Sequence, residues 1–261
     1  MDVGAGWWRD ERFGRGRGGF APALAIAMVI GFPVGRAADK EPTAPPPQPR
    51  ARVEQIVEGW TLRVDDRLLA GGAEAALGAE ALRCIAAKLA DIRTVVPAER
   101  VAELRAVPIV LDVRCGDLRS MQYHPSREWL VSHGYPADLV RCVHLPVAAD
   151  VATPRTIREQ PWVLLHELAH AYHDRVLGFD DPRIHAAFDR YVSAGRGDRT
   201  LLHDGSRTRH YALTDHKEFF AEMTEAWFGS NDFHPFNRAE LLETEPEIAM
   251  LLEAIWGRPA G

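Results

Sequence analysis

Two histidines four residues apart bracket a glutamate in the run His166-Glu167-Leu168-Ala169-His170. On a helix such histidines sit about 40° apart in rotation and about 6 Å apart along the axis, so both imidazoles reach one ion. Zinc is the metal that favours this arrangement. Glu167 lies about 100° round from His166. That places it beside the metal, where it can take a proton from a zinc-activated water. The same motif arises by accident on exposed helices. Here its flanks, Val163-Leu164-Leu165 before and Ala171-Tyr172 after, are apolar and predict a buried helix. Two histidines and a glutamate in a core cost several kcal/mol without partners, and a metal answers that need.

A catalytic zinc takes three protein ligands and keeps one open position. Candidates for the third are His173, His185, His203, His210, His216, Glu218 and Glu222. His173 shares a face with His166 but lies about 10 Å along the axis, too far for one ion, so it reads as a rim or polar-core residue. The best source is Lys217-Glu218-Phe219-Phe220-Ala221-Glu222, where the two glutamates share one face of an aromatic helix. Glu218 can supply the ligand. Glu222, one turn later, can orient a ligand imidazole from outside the coordination sphere.

With HELAHAYHD at 166–174 and YALTDHKEFFAE at 211–222, the chain resembles the gluzincin class of zinc peptidases. More closely, it resembles the family of the anthrax lethal factor catalytic domain. The resemblance covers about residues 140–230. It implies a zincin-like fold with His166, His170 and Glu218 as zinc ligands and Glu167 as general base. It also implies Tyr211, seven residues before Glu218, as donor to the oxyanion. In such folds an edge strand above the zinc helix receives the substrate backbone, and Pro108–Val113 or Leu118–Tyr123 would be that strand. Nothing before residue 140 adds to the likeness, and the chain has no room for toxin-type delivery modules.

The elements that must position these residues follow from pattern. Gly59–Leu69 alternates as a strand entering a turn, and Ala73–Val95 repeats apolar residues at helical spacing. Pro108–Val113 reads as a buried strand with which Leu118–Tyr123 can pair. Ser126 can cap a short helix through Val131, and Val140–Leu145 fits another strand. Pro161 suits the first turn of a helix running to Leu177, and Gly178 its end. Further helices are expected over Asp181–Ser193 and Asp215–Phe228, with a helical pair or one broken helix over 238–256 and a polar loop over Gly195–Arg209. Strands mix with helices early and helices dominate late. The expected class is α+β: a mixed-sheet lobe packed on a mainly helical C-terminal lobe, with the zinc site in the cleft between.

Composition sets the setting. Residues 1–38 carry five arginines, Arg9, Arg12, Arg15, Arg17 and Arg36, against Asp2, Asp10 and Glu11. The remainder is therefore more acidic than the whole chain's net −6, which argues against nucleic acid as a partner. The basic residues Arg196, Arg199, Arg207 and Arg209 read as a solvated loop. The apolar run Phe20–Val34 ending in Gly35-Arg36-Ala37 reads as a secretory signal over 1–38, or as an uncleaved anchor, the one case that implies a membrane. Residues 39–50, ending in the run EPTAPPPQPR, form an extended linker. The catalytic domain is expected over 51–261, secreted or extracytoplasmic. Cys84, Cys115 and Cys142 lack the spacing of a cysteine zinc site. The expected function is hydrolysis of a peptide or protein substrate. The competing expectations are a non-catalytic zinc-bearing binding module and a zinc hydrolase of non-peptide amides such as cell-wall cross-links.

Overall fold

The computed structural model describes residues 51–259. The expected signal, residues 1–38, and the expected linker, residues 39–50, lie outside the described residues. The first two strands, β1 (Arg52–Val57) and β2 (Trp60–Asp65), pair antiparallel across a two-residue turn. Glu58 and Gly59 in that turn take φ of 52° and 90°, the backbone that matches the twist of a hairpin. Glycine is needed here for a second reason. A Cβ at residue 59 would fall 2.5 Å from Arg105 Nε, and Arg105 donates to the Glu58 carbonyl at 2.7 Å.

Helix α1 (Ala75–Val95) follows, then α2 (Ala98–Arg105), which sequence pattern did not anticipate. Next come β3 (Ile109–Leu111), β4 (Gln122–Tyr123), α3 (Arg127–Ser132) and β5 (Val143–Leu145). Ser126 caps α3 as expected, accepting from Trp129 N at 3.1 Å. The five strands form one mixed sheet in the order β1-β2-β3-β5-β4. β2, β3 and β5 run parallel, while β1 and β4 are antiparallel edges. The expected pairing of Leu118–Tyr123 with Pro108–Val113 does not form. β5 inserts between them, its fully buried Val-His-Leu run bonding to β3 on one side and β4 on the other. Of the two candidate edge strands, β3 is therefore interior and β4 is at the edge.

Side-chain alternation divides the sheet's two faces. Leu62, Ile109 and Val143 lie in register, as do Val64, Leu111 and Leu145. They join Ile85, Leu89 and Ile92 of α1 in the main core. Val110 points the other way, into a small cluster with Cys115, Leu130, Leu139 and Cys142. None of the three cysteines forms a disulfide.

The second half is helical. α4 (Val163–Tyr172) is regular, then widens into a π-helical turn over His173–Leu177 that ends at Gly178, φ 81°. Pro161 stands ahead of this helix and not in its first turn, because Trp162 has non-helical angles of −111° and 11°. α5 (Pro182–Ser193) and α6 (His216–Phe228) match the expected spans, capped by Asp181 and Asp215. The expected polar loop holds a short hairpin, β6 (Thr200–Leu201) and β7 (Arg207–Thr208). α7 (Arg238–Thr244) and α8 (Pro246–Trp256) close the chain. The architecture is mixed α/β with a five-stranded mixed sheet, compatible with the expected α+β class. Among the described residues no helix is long and apolar enough to cross a membrane.

α4 and α6 lie against each other, and one contact sets their spacing. Trp162, just before α4, packs over Gly229, just past α6. A Cβ at residue 229 would fall 1.9 Å from the indole ring. Gly229→Ala should therefore push the two helices apart and destabilise the fold by about 1–3 kcal/mol. A urea melt of the variant checks this, and an unchanged midpoint refutes it.

Candidate metal centre

α4 is buried around nearly its whole circumference, so its polar residues have to find partners inside the protein. They find them on α6. Asp215 caps α6 by accepting from Lys217 N at 2.8 Å and Glu218 N at 2.9 Å. This fixes the first turn, where Glu218 sits. Glu218 Oε2 then lies 3.0 Å from His166 Nε2 and 3.5 Å from His170 Nε2. The three ligand atoms lie within 4.8 Å of one another and all three residues are buried, a group that could hold a metal ion. Burial alone would drive the His166 imidazolium down. Its hydrogen bonds donated to the Glu218 and Glu225 carboxylates reverse this and hold it well above its ordinary range. Burial likewise opposes the Glu218 carboxylate, and the adjacent His170 and His166 hold it well below the usual carboxylate range. The pocket is thus built to stabilise positive charge between one carboxylate and two imidazoles.

The outer face of His166 shows a partner that sequence reasoning missed. His166 Nδ1 is 2.6 Å from Glu225 Oε1, while Glu222 Oε1 stands off at 3.6 Å. The orienting hydrogen bond expected of Glu222 is therefore made by Glu225. Glu222 is held by Asn231, whose Nδ2 donates to its carbonyl at 2.7 Å and its Oε2 at 3.1 Å. Glu225 is seven residues beyond Glu218, two turns along the same face. The signal was present in the sequence at that spacing.

Glu167 is nearly fully buried, and its Oε2 accepts from the Tyr123 backbone amide at 2.8 Å. The Tyr123 hydroxyl donates to Asp174 Oδ2 at 2.7 Å. Edge strand β4 is thus tied to α4 at both ends of one residue. Tyr211 opens a 3₁₀ turn ahead of α6, which His210 Nδ1 caps by accepting from Ala212 N. Its hydroxyl donates to Glu218 Oε1 at 3.3 Å. His166, His170, Glu218 and Tyr211 therefore converge. The other histidine candidates do not join them: His203 is exposed, His185 stacks on His216 with centroids 3.9 Å apart, and His210 stacks on Phe233.

Among the described residues two further buried groups have the composition of metal sites: Asp112, Cys115 and His144; and His166, Glu222 and Glu225. In both, the short contacts have hydrogen-bond geometry. His144 Nε2 lies 2.8 Å from Asp112 Oδ2, and Arg52 already holds both Asp112 oxygens at 2.8 Å. The second group is the outer partner set of His166.

Comparisons with models of known families, with curated proteins and with solved structures give no significant match.

Proposed function

We propose that this chain is an exported zinc-dependent metallopeptidase of zincin-like fold, with His166, His170 and Glu218 as zinc ligands. The observation that carries the reading is the convergence of those three donors at ligand spacing, with Glu167, the residue after His166, buried and its carboxylate held by the Tyr123 amide. Two imidazoles and one carboxylate form a donor set of the catalytic zinc type. A zinc ion held there supplies Lewis acidity and makes a water nucleophilic at neutral pH.

The chain's own residues supply the rest. Glu167 takes the proton of the attacking water and passes it to the leaving nitrogen. Its carboxylate is aimed by the Tyr123 amide, so the base sits at the seam between β4 and α4. A peptide adding to the outer edge of β4 would present its backbone at that seam. The Tyr211 hydroxyl, now on Glu218, is placed to donate to an oxyanion developing beside the ligands. Export is proposed from the targeting pattern of residues 1–38.

The test joins stoichiometry to turnover. The purified chain should carry about one zinc. It should cleave members of a peptide library, lose that activity to a chelator and regain it with zinc. Cleavage of cell-wall cross-links but of no peptide would move the substrate class. A zinc-loaded chain that turns over neither would favour the binding-module reading.

A further inference from the structure

The two ligand histidines differ on their outer sides. Glu225 serves His166 Nδ1, but His170 Nδ1 is buried with no protein hydrogen-bond partner. A ligating imidazole ordinarily donates its second N–H, which fixes its tautomer and raises its basicity. Left unpaired in a core, that N–H costs about 1–3 kcal/mol.

The next polar group on the same helix face is His173. Residues three apart on a helix have Cβ atoms about 5–6 Å from each other, a span that one water bridges. His173 is fully buried, and neither of its ring nitrogens has a protein partner. His216 Nε2 is also buried without one. The His173 and His216 rings meet edge to face with centroids 5.8 Å apart. Phe179 and Phe220 pack on His173 at 5.2 and 5.0 Å. Two imidazoles with unpartnered nitrogens thus meet inside an aromatic wall, one helical turn along from the metal ligand. Such a site satisfies itself with a buried water, which needs two to four polar partners.

We propose that the His173–His216 cluster binds a buried water that accepts the His170 Nδ1–H. The water donates one proton to a His173 nitrogen and the other to His216 Nε2. His173 is then a positioning residue: it sets the tautomer of His170 through the water and never touches the metal. This inference rests on the reading of His170 as a metal ligand.

Zinc affinity, measured by chelator competition on the full chain, tests it. His173→Leu removes the water's anchor and should weaken zinc binding roughly 10–100-fold. His173→Gln keeps a polar group and should restore affinity to within several-fold of wild type. A zinc-loaded crystal structure of the wild-type chain should show a water within hydrogen-bond distance of His170 Nδ1 and of a His173 nitrogen, and this holds whether or not the leucine variant folds. Wild-type affinity in His173→Leu, or no such water in the crystal, overturns the water site and leaves the metallopeptidase reading standing. A wild-type chain that binds no zinc overturns both.

Discussion

Glu167→Gln is expected to lower peptide hydrolysis by roughly 10²–10⁴-fold while zinc content stays at the wild-type level. The substitution is close to isosteric. A glutamine oxygen still accepts from the Tyr123 amide, a hydrogen bond that aims the side chain. What it removes is the capacity to take a proton. Zinc retention should follow because Glu167 is absent from the group formed by His166, His170 and Glu218. The experiment pairs single-turnover or steady-state cleavage with metal analysis on one preparation. Undiminished cleavage sinks the assignment of the base. Loss of zinc along with activity would place Glu167 among the ligands.

The largest expected stability effect lies on the far face of the sheet. Asp112 is fully buried and accepts from Arg52 Nε and Nη2, both at 2.8 Å, and from His144 Nε2 at 2.8 Å. Because Asp112 accepts, His144 carries its proton on Nε2. His144 Nδ1 must then accept from His124 Nε2, 3.1 Å away. The chain Arg52–Asp112–His144–His124 therefore has a fixed direction and ends beside Tyr123. Asp112→Asn leaves the guanidinium only the exposed Asp138 carboxylate, 3.3 Å from its Nη1, and breaking such a buried pair costs about 3–5 kcal/mol. Guanidinium melts at neutral pH measure this, and a loss below about 1 kcal/mol refutes it.

The same chain sets acid sensitivity. Burial would raise the Asp112 carboxylate, but Arg52 and His144 hold it below the usual range. Burial also keeps His144 and His124 below the ordinary imidazole range. All three bind protons more readily unfolded than folded. Their contribution is complete above about pH 6.5. The histidine part is lost as pH falls below that value, and the Asp112 part as it falls below about 4. Asp112→Asn should remove the second part and flatten the stability curve there.

What the sequence revealed depended on how local the signal was. His166, Glu167 and His170 lie within one helical turn, so their spacing alone implied a common site. Asp215 before Glu218 reads as a cap, and the span of α6 followed. Glu225 lies two turns past Glu218 on the same face as Glu222, and only the packing of α6 on α4 shows which of the two meets His166 Nδ1. The Arg52–Asp112–His144 chain could not be read at all. Its members are 60 and 32 residues apart, and each looks like an ordinary surface residue until the sheet brings them together. β4 was misplaced for a related reason. Its two paired residues are too few to show alternation, and their partner lies beyond an intervening helix. The short α2 was passed over where its span runs between two apolar segments.

That brevity has a consequence for Tyr123. A two-residue strand has no hydrophobic stripe with which to choose its own register. The choice falls to α4: the amide of residue 123 must meet Glu167 while its phenol meets Asp174, seven residues or about 10 Å along the helix. Sliding β4 by one position would bring Gln122 or His124 to that place, and neither side chain can span the distance. The helix that carries the proposed base thus proofreads the alignment of the strand beside it, and an insertion or deletion between residues 116 and 126 would be felt first as a misaimed Glu167 carboxylate.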